Sequence, residues 1–216
     1  MTKKDKIEGG IAIGVLVVLV VFRKPISRLI FGATPFNLKT TNLAKKEWRA
    51  WDKGKAKETD SAMYGRLKRY WNNVGWDESR WTPSSQPWSA SFISTIMKDG
   101  GAKGDFKYSS SHSSYIVQSI KNKKENNKNP FKGYKPSDVR VKRGDIICYS
   151  RAGSNADYNT TSSYKSHCDL VVKVKKGLVK TIGGNVGHSV NEKEVKTDNK
   201  GKLQDSKYFV VIKNNK

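Results

Sequence analysis

Three kinds of hydrophobic spacing follow one another along this chain. Residues 9–22, GGIAIGVLVVLVVF, form an unbroken run of small and apolar side chains. From Leu43 onward apolar residues return at steps of three and four, in Leu43, Trp48 and Trp51 and then in Met63, Tyr64, Leu67, Tyr70 and Trp71. These steps predict two amphipathic helices, the second capped at Asp60-Ser61. Phe92, Ile93, Ile96 and Met97 make an apolar stripe on a third helix that begins at Trp88-Ser89, is buried and stops at Gly100-Gly101. One more short helix is expected over 109–120, and the Lys-, Asn-, Gly- and Pro-rich stretch 121–138 reads as a solvated loop. Beyond Gly144 the period falls to two. Residues 144–149, 168–174, 178–182 and 208–212 are β-branched and aromatic runs, and Lys175-Lys176-Gly177 is a tight hairpin between the middle two. Helices first and antiparallel strands second define an α+β domain. The aperiodic stretch 151–166 is too long for a plain connection and is expected to border a cleft.

The opening run is shorter than the roughly 20 residues a spanning helix needs. Its flanks extend it: Lys6 on one side and Arg23 and Lys24 on the other can snorkel, and Ile26, Leu29, Ile30 and Phe31 continue an interfacial turn. A cleaved signal would show small residues where Arg23-Lys24-Pro25 stands, so the run reads as an uncleaved anchor. The expected layout is a basic tail over 1–8, a single transmembrane or interfacial helix over 9–31, a linker over 32–41 and one domain over 42–216. Lys and Arg flank the span on both sides and leave its orientation open.

Composition adds one constraint. The chain has 216 residues, with 42 Lys and Arg against 19 Asp and Glu, a net charge of +23. Such a surface attracts polyanions, whether cell-wall polymer, anionic lipid or nucleic acid. Lys outnumbers Arg 33 to 9, which describes a diffuse cationic surface more than a set of phosphate-reading forks. Two Cys cannot staple a fold of this size, and three scattered His with two Cys lack metal-ligand spacing, so neither a metal nor another cofactor is expected. Five of the six Trp lie in or beside helices at core-like spacing and read as packing, not as a carbohydrate platform.

Candidate chemistry comes from the order of several motifs. Pro87-Trp-Ser-Ala-Ser-Phe-Ile-Ser94 opens a buried helix; Ser111-His112 with Tyr115-Ile116, Gly144-Asp-Ile-Ile-Cys148, Ser166-His-Cys-Asp169 and Gly183-Gly-Asn-Val186 follow it. With Glu47-Trp48 and Arg69-Tyr-Trp71 ahead of them, they resemble the domain-of-unknown-function family numbered 2272. That family resembles in turn the CHAP and NlpC-like branch of the papain-like peptidases, and the similarity extends over residues 42–212. The resemblance implies a papain-like domain with N-terminal helices packed on an antiparallel sheet. It also implies a nucleophile at Ser89, where the peptidases carry Cys, with His167 as base and Asn185 as orienter.

A Ser hydroxyl is not ionised near neutrality, and a helix dipole worth about 1 kcal/mol does not make it so. Ser89 therefore needs a general base and an oxyanion hole, or else it is a helix cap left in a silent site. CHAP enzymes commonly hold Glu where Gly183 stands. Secondary candidates are Asp169, which shares the strand face of His167, and His112 and Cys168. Alternation turns Cys168 away from His167, toward the core or toward a disulfide with Cys148. His112 and His188 read as surface or capping residues.

The resemblance together with the apolar anchor implies a single-pass membrane protein of a virion membrane or a bacterial cell envelope. The activity that the resemblance implies is peptidoglycan hydrolysis, as an amidase or endopeptidase, with the bilayer, the anionic wall polymer and virion proteins as partners. The alternative is an inactive papain-like structural or binding module, with nucleic acid as a contact of its basic surface.

Overall fold

Thr34 opens the first helix. Its hydroxyl accepts the Asn37 N–H at 3.1 Å, and Pro35 takes the first turn, where its missing N–H costs nothing. The computed structural model describes residues 33–216, and this helix, α1 (Pro35–Ala50), begins eight residues before the first apolar marker at Leu43. Most of the segment read as a linker is thus helical. The turns from Pro35 to Thr41 are hidden from a hydropathy reading because their buried face is polar: Asn37 donates to the Asn214 carbonyl at 3.0 Å, and the Thr40 and Thr41 hydroxyls bond back to the preceding turn. The basic tail and the anchor expected over 1–31 lie outside the described residues. Among those described, no helix is long and apolar enough to cross a membrane.

Three further helices follow: α2 (Tyr64–Asn72), α3 (Ser89–Gly100) and α4 (His112–Lys124). α3 is buried from Ser89 to Met97 and stops at Gly101, which takes the left-handed conformation at φ 93° that closes a helix without a Cβ clash.

The strands are β1 (Phe131–Tyr134), β2 (Ile146–Ser150), β3 (Ser166–Lys175), β4 (Leu178–Gly183), β5 (Asn191–Lys196) and β6 (Tyr208–Asn214). They pair antiparallel in the order β1-β6-β2-β3-β4-β5, and Lys176-Gly177 makes the tight β3–β4 turn. The domain is α+β, as the change of period implied. β1 lies inside the stretch read as a solvated loop, and β5, whose sequence is NEKEVK, carries no apolar alternation. Both are the edges of the sheet, where one side of the ladder meets no neighbour and charged residues are favoured.

The main core fills the space between helices and sheet. Trp51, Trp71, Trp88, Phe92, Ile93 and Ile116 pack there against Cys148, Cys168, Leu170, Ile182, Val210 and Ile212. A smaller cluster, Val141, Ile147, Val171, Val179 and Val211, covers other strand positions. Cys148 and Cys168 face each other directly across β2 and β3, Cα to Cα 4.2 Å, and form a disulfide. Of the two placements open to Cys168, core and disulfide, it has both.

Candidate active site

Ser89 owes its position to the residue before it. The Trp88 indole stacks on Trp51 with ring centroids 4.9 Å apart, and its N–H donates to Glu58 at 2.6 Å. The Glu58 carboxylate also bonds His188, at 2.8 Å, and the Glu58 N–H donates to the His188 carbonyl at 2.9 Å. The turn that follows β4 is thereby tied to the start of α3. The first helical hydrogen bond there runs from the Phe92 N–H to the Trp88 carbonyl. The N–H groups of Ser89, Ala90 and Ser91 are consequently the donors that the helix leaves over, gathered at its positive end.

Ser89 is 2% exposed, and its hydroxyl meets His112 Nε2 at 2.7 Å. α4 is held in place for this contact by Ser94 of α3, which donates to the Ser109 carbonyl at 3.0 Å and accepts the Ser109 N–H at 3.1 Å. His112 is itself 5% exposed, so it is not the surface or capping residue its serine-rich surroundings suggested. Its Nδ1 is hydrogen-bonded to the Tyr115 hydroxyl, one helical turn on. Burial, the neighbouring His167 ring and the Arg151 guanidinium hold the His112 imidazole well below its ordinary 6.5, with Asp169 pulling weakly the other way. Tyr115 is raised well above its ordinary 10 by burial first and by Asp169 second. Both rings are uncharged at neutral pH. With the His112 proton on Nδ1 and shared with the tyrosine oxygen, Nε2 is free to accept the proton of Ser89.

His167 is differently employed. It is 1% exposed, and its ring centroid lies 5.3 Å from that of His112. Arg151 Nη2 approaches its Nδ1 at 3.0 Å, and a guanidinium can only donate, so Nδ1 accepts. The proton then sits on Nε2, which donates to Asp169 Oδ1 at 2.9 Å. The second Asp169 oxygen pairs with Lys193 Nζ at 2.8 Å. Burial raises the Asp169 carboxyl, but the facing His167 imidazole and the Lys193 ammonium outweigh it and hold the group well below the ordinary 3.8.

The trio of Ser89, His167 and Asn185 does not meet. Ser89 bonds His112, and both nitrogens of His167 are taken by Arg151 and Asp169. Asn185 lies half-buried in the turn after β4 at φ 53° and makes no side-chain bond to His167. Asp169 is the residue that orients His167, from two places along the same strand. Its carboxylate also accounts for Gly183: a Cβ there would lie 1.9 Å from Asp169 Oδ1 and 3.1 Å from His167 Nε2. A side chain at 183 would therefore meet the carboxylate that pairs with His167. Gly184 is pinned likewise, since a Cβ would sit 2.5 Å from that of Phe92. His112 was detectable in the sequence through Tyr115, three residues on and so on the same helical face.

Ser89 and His112 open onto a cleft of about 560 Å³ lined also by Trp71, Trp76, Gln86, Pro87, Arg151 and residues 163–166. The aperiodic loop does border a cleft, as its length implied. Among the described residues no group of His, Cys, Asp and Glu is arranged to hold a metal ion.

A family model, DUF2272, described as an uncharacterized protein conserved in bacteria, matches residues 45–214. The chain belongs to this family. The DUF2272 match takes in every residue of the site, from Glu58 through Ser89 and His112 to Lys193, together with all six strands. It begins inside α1, so the turns that hold Asn37, Thr40 and Thr41 lie before the matched DUF2272 segment. No curated protein and no solved structure matches the chain.

Proposed function

We propose that this chain is a membrane-anchored serine hydrolase that cuts amide bonds of peptidoglycan, built on a papain-like domain of the CHAP and NlpC-like kind. The observation that carries the reading is the 2.7 Å contact between Ser89 Oγ and His112 Nε2 at the first turn of a buried helix, beside an open cleft. In the reaction Ser89 Oγ bonds to the substrate carbonyl carbon while its proton passes to His112 Nε2. The left-over N–H groups at the start of α3 stabilise the oxyanion. The carbon–nitrogen bond breaks, the amine departs with the proton from His112, and water attacks the acyl-enzyme by the same route in reverse. The positive surface favours an anionic wall, and the Cys148–Cys168 bridge suits an oxidising compartment such as the outer face of an envelope or a virion.

One observation favours a second reading, a binding module without turnover. His112 is backed by a phenol in place of a carboxylate, and His167 has no free nitrogen. The full-length chain incubated with peptidoglycan decides between them. Release of new amino groups by wild type that vanishes in Ser89→Ala and in His112→Gln supports hydrolysis. Equal inertness of all three proteins, across wall types and pH, leaves the binding module.

A further inference from the structure

Arg151 stands at the root of the loop that walls the cleft, half-buried beside Ser89 and His112. Its Nε donates to the Ser166 carbonyl at 3.2 Å and one Nη2 proton goes to His167, so three of the five N–H donors of a guanidinium remain unused. Neither Arg151 nor its cleft neighbour Lys165 has a carboxylate within ion-pair distance among the described residues. The lining of the cleft contains no Asp or Glu. Two hydroxyls of the same wall, Ser166 Oγ and Tyr164 Oη, are buried without a hydrogen-bond partner among the described residues, Ser166 being only 7% exposed. Buried hydroxyls left unpaired are costly, and a pair of cations facing a cleft without an acid repel each other.

We infer that this wall is a carboxylate subsite: the substrate carries a free carboxylate close to the scissile amide, held by the Arg151 fork with Lys165 beside it and with the Ser166 and Tyr164 hydroxyls as further donors. The inference rests on the hydrolase reading for the position of the scissile bond, and it adds a role for the substrate. Arg151 is one of the charges that oppose protonation of His112. A carboxylate seated on Arg151 offsets that charge, and so the substrate supplies the negative group that the Ser89–His112–Tyr115 line lacks. Substrates with the carboxylate masked as an amide should bind less well and also acylate Ser89 more slowly.

Binding is measured by titration calorimetry on full-length Ser89→Ala protein, so that the outcome does not depend on turnover. The probes are acetyl-L-alanyl-γ-D-glutamyl-L-lysine amide, whose glutamyl α-carboxylate is its sole carboxylate, and the same peptide with that carboxylate also converted to its amide. A charge-assisted bidentate contact predicts a preference for the free acid on the order of tenfold. That preference should disappear in Ser89→Ala/Arg151→Gln, whose glutamine can still bond His167, and should be intermediate in Ser89→Ala/Arg151→Lys, which keeps the charge without the fork. Native thermal transitions for both variants confirm that they fold. Equal affinity for acid and amide, no binding of either, or a preference that survives Arg151→Gln overturns the subsite. Failure of hydrolysis with the preference intact overturns the hydrolase reading alone.

Discussion

His112 and His167 lie side by side, both almost wholly buried, and their hydrogen bonds divide them. His112 faces an alcohol on one side and a phenol on the other, groups that can donate or accept and so let its proton move between nitrogens. His167 is held between a guanidinium that only donates and a carboxylate that only accepts, which fixes its tautomer and commits both nitrogens. A histidine on a strand next to an acid thus has the appearance of a catalytic base and the bonding of a structural strut. The residue with freedom to transfer a proton is the one on the helix.

The largest effect expected from breaking this contrast is kinetic. On the proposed reaction, His112→Gln should lower amide hydrolysis by about a thousandfold or more, as loss of a general base does elsewhere. His167→Gln, able to accept from Arg151 and donate to Asp169, should lose less than about tenfold by the same measure. Rates of amino-group release compare the two, and the reverse ranking would return the base to His167. Next is Asp169→Asn, which leaves Lys193 without its carboxylate. Urea unfolding should show a loss of about 3 kcal/mol. Gly183→Ala pushes a methyl group into the same carboxylate and should cost about 2 kcal/mol, with part of that recovered in the Gly183→Ala/Asp169→Ala double variant.

The smallest effect is on acid stability, and it separates the two rings by pH. Because burial and neighbouring charge lower His112 in the folded state, the unfolded chain takes up a proton near pH 6.5 that the folded chain refuses. Stability contributed by the neutral ring is complete above about 6.5 and declines as pH falls below it, with a slope of at most about 1.4 kcal/mol per pH unit. His112→Gln should flatten that decline in urea titrations. The lowered Asp169 carboxyl acts in a separate window: its contribution is present above about 3.8 and is lost only as pH falls below that value, and Asp169→Asn should remove this lower step alone.

What the sequence discloses follows from how many faces an element buries. β2, β3, β4 and β6 lie inside the sheet and read as β-branched and aromatic runs, whereas β1 and β5 at its margins carry Lys, Gly, Glu and Asn and do not. The start of α1 escaped for the opposite reason, because its buried residues are polar: Asn37 donates across the fold to Asn214, and Thr40 and Thr41 bond back within the helix. At the site, Ser89 is legible from Trp88 and the apolar helix behind it, and the shared face of His167 and Asp169 follows from strand alternation alone. The Ser89–His112 contact joins positions 23 residues apart through the packing of two helices, and no local period encodes that. Asn185 stood out by its neighbours Gly183 and Gly184, but those glycines are there to admit Asp169 and Phe92.

The cross-strand bridge has a consequence for the wall that bears Arg151. Cys148 lies before this loop and Cys168 after it, so the intervening residues form a covalent ring. A protease that cuts the ring once cannot separate the fragments: both flanking strands stay in register, and the nicked molecule migrates as one band until a reductant is added. The cleft wall can therefore be severed in a protease-rich setting without shedding the half of the sheet that follows it.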